Sequence, residues 1–229
     1  LSKVVTYNLV EKIIVNSKKS LDCTKNFCFN KTKIKLLYNP TLKKINKFKK
    51  RKNNKIFLSV GRLCKQKNQI LLINSFSNFL KNKNNYKLII LGDGPDKIKL
   101  LTLIKKLKMT KNIKIRKWTS NLTNYYKKSS VFILTSFYEG MPNALIEALN
   151  YNIPSIATDV SGVSDLLVNG KGGAILKNFN EKDLENKLDH VTKNYRLYLE
   201  KTKISKKNLF RFKVQIASKK YLNYLNYEQ

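Results

Sequence analysis

The chain has 229 residues, of which 42% are hydrophobic and 27% charged, a balance typical of a globular protein rather than a disordered one. Its longest apolar runs are four residues, far short of the ~20 that a membrane-spanning helix needs, and its first residues lack the layout of a signal peptide. The three cysteines have no paired spacing, which argues against a disulfide framework or a metal site, so we expect a cytoplasmic protein.

The net charge is +33, from 47 lysines and arginines against 14 aspartates and glutamates. Such an excess suits a nucleic-acid surface or attraction to anionic lipid. However, lysine outnumbers arginine roughly eight to one, and asparagine and isoleucine, which share its A/T-rich codons, are also plentiful. Compositional bias therefore explains most of the excess. Peripheral contact with the inner face of an anionic membrane stays open, and no nucleic-acid partner is expected.

From residue 56 onward, short apolar runs rich in isoleucine and valine alternate with stretches of helical period. In chain order we predict strand Ile56–Val60, helix 68–80, strand Lys87–Leu91, a helix ending at Lys108, strand Ile113–Arg116, helix Leu122–Lys128, strand Val131–Thr135, helix Pro142–Asn150, strand Pro154–Thr158, helix Val163–Val168, strand Ala174–Leu176 and helix Glu181–Thr192. In the helix that ends at about Lys108, the apolar residues Ile98, Leu101, Ile104 and Leu107 are three residues apart. This alternation predicts an α/β fold, a doubly wound, Rossmann-like parallel sheet that binds its ligand at the carboxyl ends of the strands.

The same criteria divide the chain into four parts. Residues 1–42 contain one helix-like segment and strands at Lys12–Val15 and Ile34–Tyr38, which is too little to close a domain. Residues 43–55 are polar, basic and without periodicity, as in a linker. The Rossmann-like domain is expected at 56–192, and a helical tail at 193–229.

Two carboxylates lie in the segment from Ser136 to Ala148, eight residues apart. Glu139 follows a predicted strand, Gly140 allows close approach of a ligand to the backbone, and Pro142 suits the first turn of a helix. The amino terminus of that helix offers free N–H groups to an anion, and Glu147 lies further along it. In the alternative interpretation, Glu139 is a solvent-facing loop residue and Glu147 a charge on a helix face.

Two cations lie in the loop that follows the first predicted strand of the Rossmann-like domain. Gly61 is followed by Arg62, and Lys67 stands five residues further on. Arginine contributes a planar fork and lysine a compact point charge, a pair suited to a diphosphate. In so lysine-rich a chain, an isolated basic loop of this kind also arises without function.

Together these two segments resemble the donor site of the retaining family-4 glycosyltransferases, with both signatures in the family's order. The resemblance implies that Glu139 faces the hydroxyls of the donor sugar and that Glu147 accepts hydrogen bonds from the ribose. It implies that Arg62 and Lys67 hold the diphosphate beside Gly61. The sugar and diphosphate would be lined by Gly140, Met141, Pro142 and Asn143.

Weaker similarities extend the resemblance. Gly92 begins a glycine turn like the one near the nucleotide in this family, and Arg116 and Leu122 fall where the family often contacts the base. Lys117 departs from the family, which usually has glycine there. The resemblance covers about residues 12–229 and implies that residues 1–42 are a remnant of an amino-terminal acceptor domain. In the helical tail, the candidate packing residues are Leu209, Phe212, Val214 and Tyr221. Without a docking partner, the carboxy-terminal helix should expose Leu209 and Phe212.

The resemblance implies a GT-B fold and retaining transfer of a sugar from a nucleoside diphosphate donor, without metal or cofactor. The acceptor in such families is often a glycan or lipid-linked glycan of cell-envelope polysaccharide biosynthesis. Two other functions stay open: a donor-binding fragment that performs no chemistry, and a basic nucleic-acid-binding protein on a Rossmann-like scaffold. We expect the chain to bind the donor without transferring the sugar by itself.

Overall fold

The computed structural model describes residues 2–47, 51–81, 83 and 85–225. Within these ranges the strands are β1 (Ile13–Val15), β2 (Ile34–Leu36), β3 (Ile56–Val60), β4 (Lys87–Leu91), β5 (Ile113–Arg116), β6 (Val131–Leu134), β7 (Ser155–Thr158) and β8 (Ala174–Leu176). The helices are α1 (Lys3–Leu9), α2 (Lys18–Lys25), α3 (Gln69–Leu80), α4 (Lys97–Lys106), α5 (Thr123–Lys128), α6 (Asn143–Asn150), α7 (Val163–Leu167), α8 (Glu181–Lys193), α9 (Tyr195–Lys207) and α10 (Val214–Leu225).

The main sheet of the described residues has the order β5-β4-β3-β6-β7-β8 and is parallel throughout. The chain builds outward from β3 to β5 and then returns to place β6 on the other side of β3. The loops after β3 and β6 therefore diverge at a topological switch point, where doubly wound sheets bind ligands. The predicted α/β, Rossmann-like fold is confirmed.

Each face of this sheet carries its own apolar layer. On one face, α3, α4 and α8 pack against side chains such as Phe57 and Ile90. On the other face, α5, α6 and α7 pack against side chains such as Leu58 and Phe132. Every residue of β6 and β7 is buried, which explains why these strands appear in the sequence as unbroken runs of small and apolar residues.

The three-residue spacing of apolar side chains in α4 does not mark its buried face. Ile98 is 79% exposed and Leu101 46% exposed, whereas Leu100 and Ile104 are buried against the sheet. A spacing of three residues turns by about 60° per step around a helix of 3.6 residues per turn, so four such positions spread over half of its circumference. Leu100 and Ile104, four residues apart, stay on one face.

The amino-terminal segment contains two helices where the sequence predicted one. The two predicted strands are present as the parallel pair β1 and β2. Between them, α2 is polar and its amino terminus is capped by Ser17, whose hydroxyl accepts from the backbone N–H of Ser20. A polar helix of this length carries little apolar periodicity, so the sequence pattern missed it.

Leu209 and Phe212 of the tail are packed, as their choice as candidate packing residues predicted, and the expectation that they would be exposed for lack of a docking partner was wrong. Leu209 and Phe212 have 0% exposure and belong to the apolar layer formed by α5, α6 and α7. The carbonyl of Phe212 accepts from the N–H groups of Thr41 and Leu42, and Leu42 forms a parallel bridge with Lys213. The chain before β3 and the chain after α9 thus meet beneath the sheet.

The predicted linker is tied to the domain at the places where it is described. The N–H of Asn46 donates to Oδ1 of Asn150 at 2.9 Å. The guanidinium of Arg51 donates to backbone carbonyls at the ends of α5 and α6. Residues 48–50 of the predicted linker lie outside the described residues, and the proposed division into four parts stays a prediction.

No helix in the described ranges is both long and apolar enough to cross a membrane. The same residues contain no group of three or more histidine, cysteine, aspartate or glutamate side chains placed to hold a metal ion.

Candidate functional site

The loops after β3 and β6 are joined by hydrogen bonds at the switch point. The N–H of Phe137 donates to the carbonyl of Gln66 at 2.8 Å, and the side-chain amide of Gln66 donates to the carbonyl of Tyr138 at 2.9 Å. The hydroxyl of Thr135 donates to the carbonyl of Lys67 at 3.0 Å. These bonds hold the cation-bearing loop and the carboxylate-bearing loop at a fixed separation.

A cavity of about 740 Å³ and a second of about 680 Å³ lie at this end of the molecule. We name the second one the donor cavity, after the donor site that the sequence resemblance predicts, because it brings together most of the predicted site residues. Its walls include the predicted residues Gly61, Arg62, Lys67, Gly92, Leu122, Glu139, Met141, Pro142, Asn143 and Glu147.

Lys67 and Glu139 form an ion pair across the two loops. Nζ of Lys67 lies 2.5 Å from Oε1 of Glu139, and the hydroxyl of Ser136 donates to the same oxygen at 2.6 Å. The Glu139 side chain is only 10% exposed. Its charge is therefore stabilised by a cation and a hydroxyl, as a carboxylate with so little contact with water requires.

A hydrogen bond from helix α5 holds the side chain of Glu147 in place. The hydroxyl of Tyr126 donates to Oε2 of Glu147 at 2.7 Å. Burial raises the pKa of Glu147, and the bond from Tyr126 opposes that rise because it favours the charged form. Burial also raises the pKa of the Tyr126 phenol well above its usual range, so this group stays a donor.

The amino terminus of α6 opens onto the donor cavity. Pro142, Asn143 and Ala144 line the cavity, and no side chain caps the helix at Pro142. The first N–H groups of a helix have no acceptor within it, and the helix dipole adds positive potential there. This end, together with Arg62 and Lys67, forms a wall suited to an anion.

Gly92 allows two loops to approach each other beneath the cavity. A Cβ at this position would lie 2.0 Å from the carbonyl oxygen of Gly61, which is far inside contact distance. The N–H of Gly61 donates to the carbonyl of Leu91, and that of Gly92 to the carbonyl of Arg116. Packing alone therefore requires glycine at this position.

Two predicted site residues lie outside the lining of the donor cavity. Gly140 is exposed, and a Cβ there would lie 3.2 Å from the side-chain amide of Asn16 in the amino-terminal segment. Arg116 is exposed at the end of β5, an edge strand. Their roles in binding stay predictions.

The cavity of about 740 Å³ lies between the amino-terminal segment and the loop after β6. Its walls include Tyr7, Asn16, Asn39 and Ser161, and Glu139 is the residue that it shares with the donor cavity. Glu139 thus stands where the two cavities meet.

Sequence reasoning missed two residues of the site. Trp118 is 57% exposed and lines the donor cavity. It is the single tryptophan of the chain and follows a predicted strand, a signal that could have identified it. Tyr126 is buried in α5, and no local pattern indicates that its hydroxyl reaches Glu147, 21 residues away.

Comparison with known proteins gives the following matches. The sequence profile of the family described as "Glycosyl transferases group 1" matches residues 41–209. An uncharacterised glycosyltransferase of Methanocaldococcus jannaschii is 44% identical over 108 residues, which cover 47% of this chain and 27% of that protein. The amylovoran biosynthesis glycosyltransferase AmsD of Erwinia amylovora is 35% identical over 167 residues, or 69% of this chain and 46% of that protein.

A relative that matches more of the chain comes from Campylobacter jejuni. Its name is N-acetylgalactosamine-N,N'-diacetylbacillosaminyl-diphospho-undecaprenol 4-alpha-N-acetylgalactosaminyltransferase, and it is 32% identical over 225 residues, or 94% of this chain and 61% of that protein. The matched segments thus span between 27% and 61% of the length of these three curated relatives.

Solved structures share the fold. TarM of S. aureus superposes with a TM-score of 0.85 at 24% identity, over 97% of this chain and 45% of that one. Anabaena HepE in complex with UDP-glucose superposes with a TM-score of 0.84 at 18% identity, over 98% of this chain and 66% of that one.

Proposed function

The chain belongs to the group 1 glycosyl transferases, and from this premise we propose that its donor cavity binds a nucleoside diphosphate sugar for transfer to a glycan or lipid-linked acceptor. One observation carries the proposal. Two cations, two carboxylates and an uncapped helix terminus line a single cavity at the switch point of the sheet. A nucleoside diphosphate sugar needs all three, because it combines a dianionic bridge with two hydroxyl-rich rings.

In this proposal the diphosphate binds against Arg62, Lys67 and the amino terminus of α6. These groups would neutralise the charge that develops on the diphosphate as it leaves, and fixed charges in a site shielded from water are effective at this task. Glu139 would accept hydrogen bonds from the sugar hydroxyls, and Glu147 from the ribose. We propose that neither a metal nor a cofactor takes part, so a chelator should leave nucleotide binding unchanged.

We propose that transfer retains the configuration at the anomeric carbon. The spacing of Glu139 and Glu147, together with the Gly61-Arg62 loop, resembles retaining enzymes and supports this choice. The test uses a chain extended upstream to supply an acceptor-binding domain. Proton NMR of its first product, recorded before that product can equilibrate, gives the configuration directly. A product of inverted configuration would refute retention and leave donor binding untouched.

The proposed acceptor is a lipid-linked or polymeric glycan of the cell envelope. The name of the Campylobacter jejuni relative specifies a diphospho-undecaprenol acceptor, and that of a Staphylococcus aureus relative poly(ribitol-phosphate). The net charge of +33 suits attachment to the anionic membrane face that would present such acceptors. Co-sedimentation with vesicles, with and without anionic lipid, tests the attachment. Equal binding to neutral vesicles would contradict it.

The single tryptophan provides the binding test. Trp118 lines the donor cavity, so a nucleotide that enters should change its fluorescence. We would titrate the chain with the common ribonucleoside diphosphates, their sugar conjugates and inorganic diphosphate, and confirm affinities by calorimetry. The proposal expects at least one nucleoside diphosphate to bind more tightly than inorganic diphosphate. If no nucleotide binds by either method, the proposed function is rejected.

A further inference from the structure

One oxygen of the Glu147 carboxylate is engaged inside the protein, and the other is available to a ligand. Tyr126 donates to Oε2 at 2.7 Å, whereas the next acceptor in range of its hydroxyl, the carbonyl of Ala144, is 3.5 Å away. Among the residues that the structure describes, no donor is recorded for Oε1, and Glu147 lines the donor cavity. The phenol therefore fixes the orientation of this carboxylate.

Tyr126 is itself held from two sides. Its ring stacks on that of Tyr151, with centroids 5.2 Å apart and planes at 12°. Its backbone carbonyl accepts from the guanidinium of Arg51 at 2.6 Å, and the same guanidinium donates to the carbonyl of Tyr151 at 3.0 Å. One side chain thus ties the ends of α5 and α6 together, and the buried phenol has little freedom to leave Glu147.

We propose that Tyr126 is a positioning residue, which holds Glu147 so that Oε1 accepts hydrogen bonds from a vicinal diol, the ribose of the bound nucleotide. This inference rests on the proposed function. A carboxylate is an acceptor only, and a diol supplies two donors that one well-oriented oxygen can receive. A ligand that lacks one hydroxyl loses a charge-assisted bond, so Tyr126 also determines the preference for ribonucleotides over deoxyribonucleotides.

The pH dependence gives a readout that a purely structural role would not change. Burial raises the pKa of Glu147, and the Tyr126 bond opposes this. Without the hydroxyl, the pKa should rise further, so the carboxylate would lose its charge, and its ligand, at a higher pH. The other titratable or charged groups around the cavity, α5 and α6 include Arg51, Arg62, Lys67, Asp93, Glu139, Tyr151 and Lys206. These groups are the same in the unmodified chain and in a variant that lacks the Tyr126 hydroxyl. A comparison of the two therefore measures the effect of that hydroxyl alone.

The test is Tyr126→Phe, with Tyr125→Phe as the matched control on the same helix. The probes are the ribonucleoside diphosphate that binds the unmodified chain most tightly and its 2′-deoxy counterpart, both titrated from pH 4 to pH 8. We expect Tyr126→Phe to lose about tenfold in affinity for the ribonucleotide, the scale of a hydrogen bond to a charged group. The ratio of its affinities for the ribonucleotide and the deoxynucleotide should fall towards one. The acid limb of binding, which is the pH range where affinity is lost on acidification, should move to higher pH. Tyr125→Phe should change none of these.

The outcomes separate the two proposals. If no nucleotide binds the unmodified chain, the proposed function fails. If nucleotides bind, but Tyr126→Phe keeps both the ribose preference and the acid limb, then Tyr126 is a core residue and the positioning role is overturned. Should Tyr126→Phe fail to fold, Glu147→Gln decides, because the inference requires that variant to lose the ribose preference, and a retained preference overturns it.

Discussion

Nζ of Lys67 lies 2.5 Å from Oε1 of Glu139, although the sequence resemblance assigns the cation to the diphosphate and the carboxylate to the sugar. The pair joins the loop after β3 to the loop after β6 over 72 residues of sequence. A diphosphate that binds Lys67 must therefore compete with Glu139 for the same ammonium. A sugar that bonds to Glu139 would weaken its hold on the ammonium, so the two halves of a donor should assist each other.

Glu139→Gln should separate these two effects. The variant removes the negative partner of Lys67, so a bare nucleoside diphosphate should bind as tightly as before or a few times more tightly. The sugar conjugate should lose about tenfold, because a hydrogen bond to a charged group contributes about 1.5–3 kcal/mol. Calorimetry with both ligands measures the difference. Equal losses for the two would argue that Glu139 has no contact with the sugar.

Arg62→Ala should weaken nucleoside diphosphate binding without affecting the fold. Arg62 is exposed and lines the donor cavity, so its loss should reduce binding by about 1.5–3 kcal/mol. Lys65→Ala is the matched control, since Lys65 is an exposed cation of the same loop that does not line the cavity. If both variants lose affinity equally, general attraction to the basic surface explains the effect.

Phe212→Ala should destabilise the whole domain. The ring has 0% exposure and lies 5.0 Å from the ring of Tyr38, and truncation of a buried phenylalanine costs about 3–5 kcal/mol. Phe210→Ala, two residues away and 55% exposed in the native chain, should change stability by about 0.5 kcal/mol or less. Urea unfolding gives both values. Equally small losses of stability from the two substitutions would mean that the tail does not unfold together with the rest of the domain.

The titration of Lys206 should make the free energy of unfolding depend on pH in the alkaline range. Burial lowers its pKa from 10.5 to about 8, although its ammonium donates to the carbonyl of Asn150 and the side chain of Asn152. The folded state therefore holds the Lys206 proton less tightly than the unfolded state does. The stability that the uncharged Lys206 side chain allows is fully present above pH 10.5 and is lost as pH falls to about 8.

The measurement compares Lys206→Met with the unmodified chain by urea unfolding across this range. The stability of the variant relative to the unmodified chain should rise as pH falls from 10.5 to about 8, and should be constant below that. Lys207→Met, at the exposed neighbour, controls for the loss of one positive charge. If the difference in free energy of unfolding between Lys206→Met and the unmodified chain does not vary with pH, Lys206 keeps its ordinary pKa.

The strands of the main sheet could be predicted because their signal is local. A parallel strand covered on both faces is apolar along its whole length, as Val131–Leu134 is. The Gly61-Arg62 loop and the Glu139-Gly140 segment were equally visible, since each follows such a strand. The sequence order of strands, together with the rule for doubly wound sheets, then placed both loops at the same edge.

The contacts inside the site could not be predicted, because they join residues far apart in sequence. Nothing near Lys67 indicates that it would pair with Glu139, and nothing near Tyr126 points to Glu147. The burial of Phe212 depends likewise on Tyr38 and Leu42, more than 160 residues earlier in the chain. Packing of this kind decides which apolar residues are covered, as α4 also shows.

The last described helix determines when the first segment can be completed during synthesis. On α10, the hydroxyl of Tyr221 donates to the carbonyl of Leu37, and that of Tyr224 to the carbonyl of Lys33, 191 residues earlier. At a ribosomal rate of about 5–20 residues per second, β2 waits roughly 10–40 s for these partners. Among the described residues, β1 and β2 form a two-stranded sheet, and a pair of strands by itself has only marginal stability. Residues 13–36 are thus made before the main sheet but receive their last hydrogen bonds after it.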